Sequence, residues 1–324
     1  MSLGPERSGV GMILLWGLPE DDPLEAVFRA LQRSGAQVIL VDQYEVLNSS
    51  LRLRVACEVE GLLRVGTQEV RLEQISAAYI RPYDSTALLR GRAAHPRSST
   101  YRHAMEFDAC LRAWLEMTPA CVVNPMRAMA GNNSKPFQAT QIQAVGFRSP
   151  QTLVTSDPEL ALDFWERHGR VVYKSLSGVR SIVSQLSPAH MRRLDDIAWC
   201  PTQFQQYVSG TDVRVHIVGD RLFSCEIHSD ADDYRYAGRH GLSVGMRPYD
   251  LPSDCVNRCL ELCQAMGLAV AGVDLRRTPD DQWYCFEVNP SPGFTYFQTQ
   301  TGQAVDQAIA EFLLQAPIPL GHCA

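Results

Sequence analysis

Lysine is almost missing from this chain. Of 30 basic residues in 324, only Lys135 and Lys174 are lysines. A GC-rich genome would produce such an arginine bias with no functional cause. Yet a chain that drifts so far toward arginine keeps lysine where a broad guanidinium fork would not serve, for instance where a compact point charge must fit beside a phosphate oxygen. Long apolar runs are missing too, which excludes a membrane-spanning helix. The stretch "VGMILLWGL" (10–18) is too short, and Pro19, Glu20, Asp21 and Asp22 end it. No basic run precedes it and no small-residue cleavage pattern follows, so it reads as a first buried strand rather than a signal peptide. Residues 1–8 read as a loose tail. The ten cysteines contain no CxxC pair. Cys255, Cys259 and Cys263 recur every four residues and read as small hydrophobes on one helix face. Unpaired cysteines without a secretion signal imply a reducing cytoplasm. The net charge of −6 supplies no global basic field for nucleic acid. No internal repeat or low-complexity stretch occurs.

The elements alternate at first. "GMILLWG" predicts a strand, "DDPLEAVFRALQRSG" an amphipathic helix closed by Gly35, and "AQVILVDQ" a second strand, together a βαβ unit. Residues 51–81 predict short strands with turns at Glu60–Gly61 and Gly66–Thr67. A helix over 98–118 and the strand "ACVVNP" follow. The next helix starts near Ser134, with Lys135 and Pro136 in its first turn, and ends at Gly146. Residues 151–186 predict a strand, a helix over 158–168 and two strands. From 201 the chain is strand-rich, with "TQFQQYV", "DVRVHIVG" and "RLFSCEIH", then a helix over 253–266, a hairpin, and a last helix from about Gly302 to Leu314. Strand runs late in a mixed α/β order suggest three lobes.

The hairpin "LAVAGVDLRR–TPDD–QWYCFEVNP" carries the chemistry. If its turn is symmetric about Asp280 and Asp281, Asp274 lies opposite Glu287, and Asn289 shares the face of Glu287. Two carboxylates facing each other across a ladder repel unless a cation sits between them. Hard oxygen donors with spare coordination positions suit Mg²⁺. The alternative is three solvated side chains on an outer sheet face; the apolar flanks "VAGV" and "WYCF" favour the cation.

"AGVDL…FEVNPSPGF" resembles the C-terminal signature of the ATP-grasp superfamily, in particular its RimK-like ligases. "QFQQYVSGTDVRVHIVGDRLFSCEI" is similar to that family's hinge, DxR motif and following hairpin. "RVVYKSLSG" and "NNSKPFQATQIQAVGFRSPQTLVTSDP" resemble its two lysine-bearing segments, and both lysines fall there. The resemblance covers roughly 120–315. "EVEGLLRVGTQEVRLEQISAAYIRPYD" resembles, more weakly, the hairpin-plus-strand segment of the graspetide, or microviridin-type, peptide ligases. It has Ile80 where those tend to carry a second arginine before the Arg81–Pro82 pair.

The resemblance implies an α/β (α+β) ATP-grasp fold of three lobes: an N-terminal domain over 1–120, a small ATP-grasp lobe over 121–200 and a C-terminal lobe with the metal site over 201–324. It implies ATP and Mg²⁺, with Asp274, Glu287 and Asn289 on the metal and Lys135 and Lys174 on the α- and β-phosphates. Gln205, Gln206, Tyr207 and Val208 would form the adenine hinge through main-chain groups. Asp212 would lie near the ribose or orient a neighbouring cation. Arg214 would face the γ-phosphate or substrate carboxylate, and Arg235 the acyl phosphate. On its own, "DVR" is a common tripeptide and Arg235 an ordinary loop arginine; their order within the larger match raises them. RimK-like ligases carry a Gly-rich loop after the Lys174-type strand, but "SLSGVRSIVS" has only Gly178, as in microviridin-type ligases; Arg180 and the serines would stand in for some donors.

The expected reaction is ADP-forming ligation of a carboxylate to an amine or hydroxyl, on an acidic peptide or precursor peptide. The alternatives are a RimK-like amino-acid ligase and a non-catalytic ATP-binding module. No nucleic-acid or membrane partner is expected, and the resemblance admits a homodimer. Arg81 and His240 receive no role, and none is given to Arg180 beyond that substitution.

Overall fold

The computed structural model describes residues 11–56, 59–91, 95, 97–175, 183–229 and 243–317. Strand β1 (Met12–Gly17) runs parallel to β2 (Val38–Asp42), and the helix Asp22–Arg33 connects them. The antiparallel hairpin strands β3 (Ser49–Val55), β4 (Val59–Val65) and β5 (Gln68–Arg71) follow, forming their own sheet in the order β3-β4-β5. Strands β6 (Ile75–Ile80) and β7 (Cys121–Val123) return to the first sheet, whose order is β2-β1-β6-β7, parallel throughout. Every residue of β6 is buried, the mark of a parallel sheet covered on both faces. Ile13, Leu15, Ala77 and Tyr79 pack on one side with the helices Asp22–Arg33 and Val305–Leu314. Leu14, Trp16, Ala78 and Ile80 pack on the other with the helix Ser99–Met117. The first sheet is thus closed by a helix from the far end of the chain.

The turn expected at Glu60–Gly61 lies elsewhere. Both residues sit inside β4, opposite Arg54 and Leu53, and the pairing continues to Val55 opposite Val59. A Cβ on Gly61 would stand 2.4 Å from the Arg52 carbonyl oxygen and 2.6 Å from Leu72 Cδ1. This glycine marks a close approach within a sheet, not a turn.

The second sheet is antiparallel, with order β10-β9-β11-β8, from β8 (Thr152–Thr155), β9 (Val171–Ser175), β10 (Ser184–Gln185) and β11 (Thr202–Gln206). Ala161 and Phe164 of the helix Pro158–His168 pack against Val171 and Phe204. Strand β11, expected with the lobe that begins at 201, instead pairs with β8 and β9, so this sheet runs to Gln206. The helix Lys135–Ala144, expected in the small lobe, sends Ile142 into the C-terminal core.

The third sheet has the order β14-β13-β12-β15-β16, from β12 (Thr211–Val218), β13 (Arg221–Ser229), β14 (Val244–Pro248), β15 (Val270–Arg277) and β16 (Trp283–Asn289). Strand β14 was not expected; as an edge strand it tolerates Gly245 and Pro248. Cys255, Cys259 and Cys263 of the helix Ser253–Ala265 are buried against Val213, Val215, Val273 and Cys285. Burial pushes the Cys255 thiol up to about 11 and that of Cys263 to about 12, so these are inert packing groups. The last helix expected from about Gly302 to Leu314 is present as Val305–Leu314; the helix before it, Thr295–Thr301, ended by Gly302 at φ 72°, was not expected. No helix among the described residues is long and apolar enough to cross a membrane.

Gly61→Ala should destabilise the protein by about 1–3 kcal/mol through overpacking, read as a lower urea midpoint with unchanged slope.

Candidate active site

The hairpin of β15 and β16 brings Asp274 opposite Glu287 and Gly272 opposite Asn289. The expected facing pair is present, but it is reached in another way. Next to the turn, Arg277 faces Trp283 and Leu275 faces Cys285, a register centred on Asp280 alone. A register shift between Asp274 and Leu275, taken up at Phe286, restores the pairing beyond it. Such a bulge re-aims the side chains around it.

Each carboxylate meets a cation. Arg214 Nη1 donates to Asp274 Oδ1 at 2.6 Å, and Lys135 Nζ pairs with Glu287 Oε1. Lys135 begins a helix whose N-cap, Ser134, accepts from the Phe137 N–H, and Pro136 follows it in the first turn. The buried guanidinium of Arg214 lies across Gly272, where a Cβ would stand 2.1 Å from Nη2. Only glycine leaves that space. Arg214 Nε donates to His216 Nε2 at 3.3 Å, so the imidazole carries its proton on Nδ1, toward the Gly293 main chain. The His216 ring stands edge-on to Phe297, with centroids 4.9 Å apart. Burial, then the Arg214 charge, holds this imidazole well below its ordinary range; it is neutral.

One cleft between the second and third sheets is lined by Lys174, Gln205, Gln206, Tyr207, Val208, Asp212, Arg214, Asp274 and Glu287, all expected, together with Val172, Arg276 and Phe286. Lys135 joins through its pair with Glu287. Asn289 lies farther along β16, its Oδ1 accepting the Ser291 N–H at 2.9 Å. Arg235, His240, Arg180 and Gly178 lie outside the described residues.

The hinge is more occupied than expected. The Gln206 N–H donates to the Gln151 carbonyl at 2.9 Å and the Tyr207 N–H to the Arg170 carbonyl at 3.0 Å. Arg276 Nη1 donates to the Val208 carbonyl at 2.7 Å. Arg276 also grips Asp212 with Nε at 2.7 Å and Nη2 at 3.0 Å, a bidentate fork. Asp212, expected near the ribose or orienting a neighbouring cation, is held by this fork. Arg276 was missed, although strand alternation puts it on the face of Asp274, two residues back. Two buried amides were missed as well, Asn124 and Gln138; each looks like an ordinary polar residue in sequence.

Among the described residues no cluster of three His, Cys, Asp or Glu forms. The two facing carboxylates and the Asn289 carboxamide offer oxygen donors that could hold a cation. They are hard donors on one strand-end face, which fits Mg²⁺. Four cationic side chains around the same cleft suit a polyphosphate.

Two antiparallel sheets closing on a cleft, with facing carboxylates on one and a lysine on the other, define an ATP-grasp arrangement. A family model, the RimK-like ATP-grasp domain, matches residues 141–313, and the chain belongs to the RimK-like ATP-grasp family. The matched span begins after Lys135. Members of the superfamily are ADP-forming carboxylate–amine or carboxylate–hydroxyl ligases.

Among solved structures the chain is similar to the macrocyclase MdnC of Microcystis aeruginosa, bound with precursor peptide MdnA (TM-score 0.78, 23% identity, 93% of this chain and 99% of that one). It is also similar to a RiPP-associated ATP-grasp ligase of Chryseobacterium gregarium in complex with ADP and a leader and core peptide (TM-score 0.79, 23% identity, 94% and 96%). These likenesses establish the fold over nearly the whole chain. In sequence it is 25% identical over 290 residues to a probable alpha-L-glutamate ligase of Photobacterium profundum, covering 85% of this chain and 94% of that protein. It is 30% identical over 117 residues to beta-citrylglutamate synthase B of Danio rerio, a match spanning 35% of this chain and 29% of that protein.

His216 is neutral when folded and titrates at its ordinary value, about 6.5, when unfolded. Its contribution is complete above that value and is lost as pH falls below it. Stability should therefore drop toward pH 5.5 with a slope component of about 1.4 kcal/mol per pH unit. Denaturant titrations at stepped pH should show that component absent in His216→Gln.

Proposed function

We propose that this protein is a peptide ligase that uses ATP to join a side-chain carboxylate of an acidic peptide to a hydroxyl or amine, forming ester or amide crosslinks in a ribosomal precursor peptide. The facing pair Asp274 and Glu287, with Arg214 and Lys135 on them, carries the reading. It is a site built for concentrated negative charge in the cleft between the second and third sheets. The hinge Gln205–Val208 and Val172 would hold the base, and Lys174 and Lys135 the α- and β-phosphates. Asp274, Glu287 and Asn289 would hold Mg²⁺, which when bound neutralises charge on the phosphates.

The chemistry needs positioning and charge compensation more than a reactive side chain. A substrate carboxylate oxygen attacks the γ-phosphorus, the bond to the β,γ-bridging oxygen breaks, and ADP leaves with that electron pair. The acyl phosphate then takes the attack of a hydroxyl or amine, and phosphate departs. Arg214, held by Asp274 and His216, would offer N–H groups to the attacking carboxylate and the transferring phosphoryl group. Glu287 shares its charge with Lys135 until the nucleotide draws the lysine to a phosphate.

The peptide substrate rests on the near full-length fold likeness to two ligases solved with peptides. A second reading has its own support: the full-length sequence relatives are named probable alpha-L-glutamate ligases, so the acyl phosphate could instead meet the amine of glutamate. The cytoplasm is the compartment we assign, since the cysteines of the described residues are all free thiols.

The test is incubation with ATP, Mg²⁺ and a Thr/Ser- and Asp/Glu-rich peptide encoded beside the gene. ADP release should accompany loss of one water mass per link. Gly272→Ala, which forces Arg214 off Asp274, should lower ADP release by about 100-fold, and Glu287→Gln should do so at least as strongly. AMP release, or full activity in Glu287→Gln, would sink the mechanism. Mass gain from glutamate instead of water loss would move the assignment to the second reading.

A further inference from the structure

Four side chains from distant parts of the sequence, and Asn289 of β16 itself, hold the end of β16 and the turn after it. Gln138 brackets Val288, donating to its carbonyl at 2.7 Å and accepting its N–H at 3.0 Å. Asn289 Oδ1 takes the Ser291 N–H. Asn124 Nδ2 donates to the Pro290 carbonyl at 2.6 Å. Arg81 Nη1 donates to Ser291 Oγ at 2.8 Å and to the Pro292 carbonyl at 3.2 Å. His216 directs its Nδ1–H at the Gly293 main chain. Asn124 and Arg81 come from one place: each is the first residue beyond a strand, β7 and β6, at the carboxyl edge of the parallel N-terminal sheet.

Arg81 is itself clamped. Its Nε pairs with Asp21 Oδ2, and Nη2 donates to Asp21 Oδ1 at 3.3 Å. Its side chain is 11% exposed and that of Asp21 7%. Asp21 is fixed in turn, because it caps the helix Asp22–Arg33 through the Leu24 N–H and takes the Tyr83 hydroxyl at 3.3 Å. Gly17 makes room, since a Cβ there would stand 2.9 Å from the Arg81 carbonyl oxygen. With Nε and Nη2 spent on Asp21, only Nη1 reaches the turn, and it arrives from a buried, rigid anchor. Ser291 is the residue whose N–H holds Asn289 Oδ1, so Arg81 grips the far side of the same turn that orients the carboxamide.

We propose that Arg81 is a positioning residue for the metal and phosphate end of the site: through Ser291 and Pro292 it sets the Asn289 carboxamide from the N-terminal sheet. This rests on the reading of Asp274, Glu287 and Asn289 as Mg²⁺ donors. It follows that cation binding on the third sheet depends on where the first sheet sits. Lysine could not serve at 81, since one ammonium cannot chelate Asp21 and also reach the turn in a fixed plane.

The experiment is Mg²⁺ titration of the binding of a fluorescent ATP analogue to wild type, Arg81→Lys, Ser291→Ala and the double variant, with melting temperatures alongside. Ser291→Ala removes only a partly buried hydroxyl and guards against a folding defect in Arg81→Lys. Both single variants should need more Mg²⁺ for half-saturation, by about ten-fold for Arg81→Lys, with nucleotide affinity in EDTA unchanged. The double variant should be no worse than Arg81→Lys, because both cut one link. Amide hydrogen exchange at 289–293 should quicken in Arg81→Lys. Mg²⁺-dependent binding that is identical in all four proteins, or effects that add, would overturn the inference alone. Wild-type binding indifferent to Mg²⁺ would overturn the metal reading and the inference with it.

Discussion

Asp274 and Glu287 are forced to face each other by the ladder between β15 and β16, and two like charges at about 4 Å near a protein surface repel by about 4 kcal/mol. Everything around this pair answers that repulsion. Arg214 takes one carboxylate and Lys135 the other. Gly272 gives up its side chain so that the guanidinium can lie flat. His216 stays neutral and accepts from Arg214, so it adds no second positive charge. The strand that carries Glu287 is then tied down by Gln138, Asn124 and Arg81. A site held this firmly against its own charge is ready for ligands that carry charge in.

The division of labour between lysine and arginine follows from the same constraint. The arginines of the site act as forks: Arg276 on Asp212 and the Val208 carbonyl, Arg81 on Asp21 and the Ser291 turn. Each needs two or three donors in a fixed plane, and each belongs to the architecture. The two lysines sit where a single movable charge is wanted, Lys135 on Glu287 and Lys174 on the wall of the cleft. An ammonium on a flexible stem can leave a carboxylate for a phosphate without breaking a bidentate bond.

Much of this was legible from residue order, for local reasons. The first βα unit, the helix cap at Ser134 and the hairpin at 270–289 follow from short-range periodicity and turn chemistry. The facing pair was legible too, although the turn is not symmetric about Asp280 and Asp281 as expected, and the register shift at Phe286 makes up the difference. Gly61 was misread because glycine marks both turns and close approaches, and only Leu72 and Arg52 distinguish them. Strand β14 and the helix Thr295–Thr301 were missed because neither has a strong period. Strand β11 reads as a strand in either sheet; its partners β8 and β9 decide which.

What residue order carried was the chemistry: oxygen donors at period two on one strand, two lysines in an arginine-rich chain, and prolines and a glycine that end the strand. Those features are local, and a strand face or a turn is settled within a few residues. What folding alone decided was the support. Arg81 lies 210 positions from Ser291, Gln138 lies 150 from Val288, and Asn124 lies 166 from Pro290. No periodicity spans such distances. These contacts exist because the C-terminal helix Val305–Leu314 closes the N-terminal sheet and brings the carboxyl ends of β6 and β7 against the end of β16.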